Sequence, residues 1–272
     1  MKKLAFNIIF CLFLSFTSLG GTVDTLKVYS TVMQKAIPTI VITPTAYATH
    51  TAQHYPVIYL LHGAYGDYTN YIRKIPELKT LVDRYQFIIV CPDGGNTSWY
   101  FDSPMDSSYQ YETYITKELV PVVNQTYRIS GDREKRGILG LSMGGHGAIY
   151  LASRNPSIWG VVGSMSGGVD FRPFPNSWDI KKRLGSKAKY ASNWNKHTVI
   201  TMIDQIKQGQ FTLFIDCGQD DFFFEVNKAF HLKLLAHQVP HDFSQHAGKH
   251  DWNYWKQRVP KHLACFHEHF TD

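Results

Sequence analysis

The sequence predicts a single doubly wound α/β domain, with a mostly parallel central sheet and helices on both faces. Three observations lead there. Five apolar runs of strand length recur along the chain, and they are continuous rather than alternating, which is the pattern of strands buried on both faces. Segments with helical spacing separate them, so the order reads strand–helix–strand. No stretch of linker composition divides the chain in two.

The chain opens with Lys2 and Lys3, an apolar run from Leu4 to Phe16, and a small-residue exit through Thr17, Ser18, Gly20 and Gly21. A charged start, a short greasy centre and small residues at the end describe a secretory signal. The run is short for a membrane span. The expected organisation is therefore a signal peptide over residues 1–20 and one domain over 21–272, with the mature protein periplasmic or extracellular and without stable membrane insertion. Thr25 to Tyr47 shows β-branched alternation and is expected to add antiparallel strands at one sheet edge. The buried strands follow as Val57–Leu61, Phe87–Cys91, Arg136–Leu141, Gly160–Met165 and Phe211–Cys217. Helices are expected over Tyr71–Tyr85, Tyr111–Val123, Gly144–Ser153, Val199–Lys207 and Glu225–His237. A last one, Trp252–Phe270, is expected to be interrupted by Pro260. Pro92–Gln110 and Gly167–Lys196 fit neither pattern, and long irregular segments of this kind usually carry function.

Composition excludes several classes. Among 272 residues, 44% are hydrophobic and 18% charged, which is incompatible with a disordered chain. The formal charge is 28 − 22 = +6, or about +4 once Lys2 and Lys3 leave. The longest basic run is only Lys181-Lys182-Arg183, so no nucleic-acid partner is expected. Of four cysteines, Cys11 lies in the leader. Cys91 and Cys217 each end an apolar run and read as buried thiols. With Cys265 the remaining count is odd, so at least one thiol stays free. No Cys-x-x-Cys pair suggests structural zinc. The histidines His262, His267 and His269 read as a solvated helix end rather than a metal site.

The chemistry centres on Gly140-Leu141-Ser142-Met143-Gly144. A buried strand runs into this pentapeptide and a small-residue helix runs out, which is the context of a nucleophile elbow. Ser142 would sit in a strained turn with its hydroxyl exposed, and Gly140 and Gly144 would remove side chains that collide across it. A serine hydroxyl needs a general base, and the base needs an orienting carboxylate. Candidates follow Ser142 in the chain. Asp220 and Asp221 are adjacent after the strand Phe211–Cys217, and either reads as the acid, the other as a helix cap. Asp216, inside the strand end, reads as structural. His246 and His250 both lie late in the chain, ahead of the last helix.

The run Gly140 to Ala148, Gly-Leu-Ser-Met-Gly-Gly-His-Gly-Ala, resembles the elbow of the esterase D family of α/β-hydrolases. That group includes S-formylglutathione hydrolases, short-chain acyl esterases, feruloyl and acetyl-xylan esterases and mycolyltransferases. Tyr59-Leu60-Leu61-His62-Gly63 is similar to the family's oxyanion strand and loop. Ser98-Trp99-Tyr100 with Tyr111-Glu112-Thr113-Tyr114-Ile115 is similar to the segment before its central helix. Asp216 to Asp221 and Gly248-Lys249-His250-Asp251-Trp252 look like its acid and histidine loops. The resemblance covers nearly the whole mature chain. It implies the α/β-hydrolase fold and acyl-ester hydrolysis through Ser142, Asp221 and His250. Asp221 is preferred because the family acid lies three residues after the loop glycine, here Gly218, and His250 because it follows Gly248 and precedes an aromatic helix start. By fold analogy the backbone N–H groups of Met143 and Ala64 would receive the oxyanion, with His62 shaping the loop.

Trp99 and Tyr100, with Phe101 and Tyr109 nearby, are expected to rim the site and bind substrate through ring faces. An exported esterase with such a rim suggests feruloyl or acetyl groups on plant polysaccharide, or short-chain acyl esters. Transfer of the acyl group to a sugar hydroxyl, and thioester hydrolysis of the S-formylglutathione type, are the alternatives. No metal or organic cofactor is expected.

Overall fold

The computed structural model describes residues 20–272. The expected signal segment lies outside these residues, apart from Gly20. Eight strands form one sheet: β1 (Thr22–Ser30), β2 (Lys35–Thr43), β3 (Val57–Leu61), β4 (Ile88–Pro92), β5 (Arg136–Leu141), β6 (Val161–Met165), β7 (Thr212–Gly218) and β8 (Asp242–His246). Their order is β1-β2-β4-β3-β5-β6-β7-β8. The hairpin β1–β2 is antiparallel and joins β4 antiparallel, as the β-branched N-terminal segment suggested. Every other pairing is parallel. Strands β3 to β6 are buried along their whole length, which is why they read as unbroken apolar runs.

The helices are α1 (Asn70–Lys74), α2 (Leu78–Tyr85), α3 (Tyr111–Thr113), α4 (Val120–Thr126), α5 (Met143–Arg154), α6 (Ile180–Leu184), α7 (Ala191–Lys196), α8 (Ile203–Gly209), α9 (Phe224–Ala236) and α10 (Trp252–Thr271). A π-helical turn, Tyr114–Leu119, joins α3 to α4. Two hydrophobic layers flank the sheet. Tyr114, Leu119, Ile149, Ile203 and Phe230 belong to one. Tyr71, Leu78, Val82, Val259, Leu263 and Phe266 belong to the other. Among the described residues no helix is long and apolar enough to cross a membrane.

Three elements depart from the sequence reading. The single helix expected over Tyr71–Tyr85 is broken between α1 and α2, because Pro76 pushes the preceding Ile75 out of helical geometry, to φ −134° and ψ 73°. Conversely, α10 runs unbroken through Pro260. Proline inside a helix costs about 3 kcal/mol, but burial of Val259, Leu263, Phe266 and Phe270 against the sheet outweighs it. The stretch Gly167–Lys196 is not wholly irregular, since it contains α6 and α7.

The order places a topological switch at β3, where the chain turns from one side of the sheet to the other. In open α/β sheets, ligands bind outside the carboxyl ends of the strands at such a point. The loops after β3, β5, β7 and β8 all open there.

Candidate active site

Strand β5 delivers Ser142 into a backbone conformation of φ 57° and ψ −117° before α5 begins. A non-glycine residue held there stores roughly 1–3 kcal/mol of strain. Its neighbours make the turn sterically feasible. A Cβ on Gly140 would lie 2.0 Å from the Gly144 carbonyl oxygen, and one on Gly144 would lie 2.1 Å from that of Leu61. Only hydrogen fits at either position. The turn is held by the Ser142 N–H, which donates to the Met165 carbonyl at 2.9 Å, and by the Ser142 carbonyl, which accepts from His146 and Gly168.

The loops after β7 and β8 bring the remaining groups. The Ser142 hydroxyl donates to His250 Nε2 at 2.8 Å. His250 Nδ1–H donates to both Asp221 carboxylate oxygens, at 2.9 and 2.8 Å. The Asp221 side chain is fully buried and also accepts from the Phe223 N–H at 2.7 Å. That bond turns the chain into α9 and fixes the carboxylate. Asp220 points to solvent and does not cap α9, whose first turn is preceded by Phe223. Of the two adjacent acids, Asp221 therefore meets the imidazole. His246 ends β8 with an exposed ring, 4.0 Å from Asp216 and away from Ser142.

Ser142 opens onto a cavity of about 390 Å³ lined by Gly63, Ala64, Tyr65, Asn70, His250 and a ring of aromatics: Trp178, Phe222, Trp252 and Trp255. The β3 loop presses on the nucleophile, since a Cβ on Gly63 would lie 3.2 Å from Ser142 Cβ. Ala64 lies in that loop. Met143 is the first residue of α5, where a backbone N–H has no intrahelical acceptor. Met143 thus follows the nucleophile directly, and Ala64 lines the cavity onto which Ser142 opens. His62 shapes the loop, as expected: Gly94 N–H donates to its Nε2 and its Nδ1–H donates to the Gly63 carbonyl, each at 2.8 Å. Burial lowers its pKa, which keeps the ring neutral. A larger hollow, about 710 Å³, lies at the opposite ends of β7 and β8 against Lys207 and His241, remote from these groups.

The expected rim residues are corrected. Trp99 is 1% exposed and Tyr100 0%, and neither lines the cavity. Both adopt left-handed backbone, φ 57° and 58°, which turns the rings inward. Tyr100 OH donates to the His62 carbonyl at 3.2 Å and packs against Gly94 and Gly147, so it buttresses the oxyanion loop from beneath. Trp99 Nε1–H donates to the Trp178 carbonyl at 3.3 Å and its own carbonyl faces His146. Burial pushes His146 down to about 4, and its ring fastens the Trp99 loop to α5. The exposed rings at the mouth are instead Tyr65, 67% exposed, and Phe222, 51% exposed. Sequence reasoning missed Trp178, Phe222, Tyr65 and Trp252. The signals for them were a tryptophan in an irregular segment, the Phe222-Phe223-Phe224 run beside the acid and the aromatic helix start at Trp252.

Asp216 is structural, as expected. Its buried carboxylate accepts from Arg258 Nε at 2.6 Å, Ser244 Oγ at 2.9 Å and Tyr254 OH, with His262 Nε2 at 3.7 Å. Burial opposes its ionisation, but His262, Tyr254 and Arg258 outweigh that and bring its pKa down to about 2. His262, His267 and His269 do not form a common solvated end. His262 faces Asp216, His267 stacks on Tyr85 at 4.7 Å, and His269 lies 3.4 Å from Glu134. Cys91 and Cys217 are buried, and burial raises both thiols well above their ordinary range.

Residues 30–266 match the family described as "Putative esterase". The chain is 25% identical over 222 residues to an acetyl esterase of Caldicellulosiruptor saccharolyticus, covering 76% of this chain and 82% of that one. It is 26% identical over 192 residues to the S-formylglutathione hydrolase of Mus musculus, covering 62% and 65% respectively. A solved ferulic acid esterase superposes with a TM-score of 0.79 at 29% identity, over 92% of this chain and all of the other. With this coverage and this sheet, the chain belongs to the esterase family of α/β-hydrolases and is an enzyme of the serine esterase type.

Proposed function

We propose that the chain is an exported serine carboxylesterase working through an acyl-enzyme on Ser142. The observation that carries this reading is the continuous line from Ser142 Oγ to His250 Nε2 to the buried Asp221 carboxylate, with every link at 2.8–2.9 Å. Ser142 Oγ attacks the ester carbonyl while His250 Nε2 takes its proton. Asp221 holds the imidazole with Nδ1 protonated, so that Nε2 presents its lone pair, and it stabilises the imidazolium that forms. The oxyanion receives the N–H groups of Met143 and Ala64, and one such donor contributes about 10²–10³ in rate. The alcohol departs with the proton from Nε2, and water activated by the same nitrogen releases the acid.

The substrate is proposed to be an uncharged ester, with a feruloyl, acetyl or other short acyl group on plant polysaccharide. The aromatic mouth of Tyr65, Trp178, Phe222 and Trp252 supports this, as does the likeness to proteins named acetyl esterase and ferulic acid esterase. The likeness to S-formylglutathione hydrolase favours a second reading, thioester hydrolysis. The charged start and apolar run of residues 1–20 argue against it, because they support export away from the cytosol. Assaying methyl ferulate, acetylated xylan, p-nitrophenyl esters and S-formylglutathione side by side tests the choice. Turnover of S-formylglutathione alone overturns the carboxylesterase reading. The mature N-terminus, sequenced from protein recovered outside the cytoplasm, tests export.

A further inference from the structure

The proposed reaction fixes where the two halves of an ester must lie. In acylation the bond from Ser142 Oγ to the carbonyl carbon forms and the bond from that carbon to the alcohol oxygen breaks. The electron pair stays on the alcohol oxygen, which takes the proton from His250 Nε2. That oxygen must therefore come within hydrogen-bond reach of Nε2. The carbonyl oxygen must point the other way, towards Met143 and Ala64. The alcohol half is thus placed over the His250 side of the cleft.

That side has a built wall. The Phe222 ring lies 4.2 Å from the His250 ring, centroid to centroid, and Trp178 stacks on Phe222 at 5.8 Å with an interplanar angle of 17°. Both line the same cavity as Ser142, and Phe222 keeps half its surface in water. Their placement is enforced. Phe222 follows the buried Asp221 directly. Trp178 and Asp179 hold consecutive left-handed conformations, φ 48° and 55°. The strain is held by buried Trp99, whose Nε1–H donates to the Trp178 carbonyl, and by Asp179, which accepts from the Thr97 hydroxyl at 3.2 Å and pairs with Lys182 at 2.9 Å. Strain held by several contacts at a cleft mouth marks a position where the side chain's aim matters.

Resting on the carboxylesterase reading, we infer that Trp178 and Phe222 form the subsite for the alcohol half, and that this alcohol is a sugar ring. Phe222, half exposed, and Trp178, partly exposed beside it, give this wall of the cleft an uncharged apolar surface for the C–H face of a sugar. Among the described residues, no side chain lining this cavity carries a charge apart from a protonatable His250, so an uncharged alcohol fits and an ionic one has no partner. The pair discriminates during acylation only, because the alcohol has gone before water attacks.

The test crosses two acyl groups with two alcohols: methyl and arabinosyl esters of ferulate and of acetate. Wild type is compared with Trp178→Ala, Phe222→Ala and, to retain apolar cover on His250, Phe222→Leu. The expected result is a fall of about tenfold in the ratio of kcat/KM for the arabinosyl ester over the methyl ester, the same for both acyl groups. An unchanged ratio in active variants overturns the subsite while leaving the esterase reading standing. A change that follows ferulate against acetate, whatever the alcohol, assigns the pair to the acyl half and also overturns it. Wild type inactive on all four esters removes the carboxylesterase reading and this inference with it.

Discussion

His250 Nε2 stands 2.8 Å from Ser142 Oγ although 108 residues separate them in the chain. No local element could produce that approach. It depends on β5 and β8 ending at the same edge of one sheet, with β6 and β7 between them. Ser142→Ala removes the nucleophile without disturbing the turn. Turnover of p-nitrophenyl acetate is expected to fall by several orders of magnitude, with the melting temperature within a few degrees of wild type. Retained hydrolysis by a folded variant would refute the role of Ser142.

The adjacent acids give a clean contrast. Asp221→Asn keeps the shape of the side chain but loses the charge that holds the imidazole tautomer, and kcat is expected to drop by about 10⁴. Asp220→Asn alters an exposed side chain and is expected to leave kcat within about threefold. Steady-state kinetics on both variants decides the matter, and similar losses would count against Asp221 as the orienting acid.

Glycine at 144 is required by the Leu61 carbonyl, 2.1 Å from where a Cβ would stand. Backbone cannot step aside as a flexible side chain can. Gly144→Ala is expected to destabilise the fold by about 2–4 kcal/mol, read as a lowered urea midpoint. An unchanged midpoint would mean the elbow relaxes more freely than its packing suggests.

Asp216 links stability to pH. Its folded pKa is about 2, below the ordinary value of about 3.9. The depressed value stabilises the fold above about pH 4, and that contribution is lost as pH falls towards 2. Asp216→Asn leaves Arg258 without its buried partner and is expected to cost about 3 kcal/mol at pH 7. Denaturant unfolding at pH 7, 4 and 3 should show the gap to wild type narrowing at the acid end. A gap constant with pH would argue against an ionised Asp216.

Tyr100→Phe tests the corrected rim. Losing a buried hydrogen bond to the His62 carbonyl is expected to cost about 1 kcal/mol of stability. Selectivity between methyl ferulate and methyl acetate should not change, since the ring does not reach the cavity. A shift in that selectivity would return Tyr100 to the substrate surface.

The sequence by itself determined the layered α/β architecture, the antiparallel edge and the elbow. Continuous apolar strands and the glycines around Ser142 are local necessities, written where they act. The family resemblance brought Asp221 and His250 forward as partners, and the structure places Asp221, buried and bonded to the imidazole, on the inside while Asp220 faces solvent. Tertiary structure alone decided the walls of the cleft. An aromatic residue looks the same in sequence whether its ring packs beneath a loop or above it. At Trp99 and Tyr100 two left-handed residues turn the rings into the core, while at Trp178 the same backbone choice sets the ring at the mouth. That difference comes from what each loop packs against, and such contacts exist only once distant segments have met.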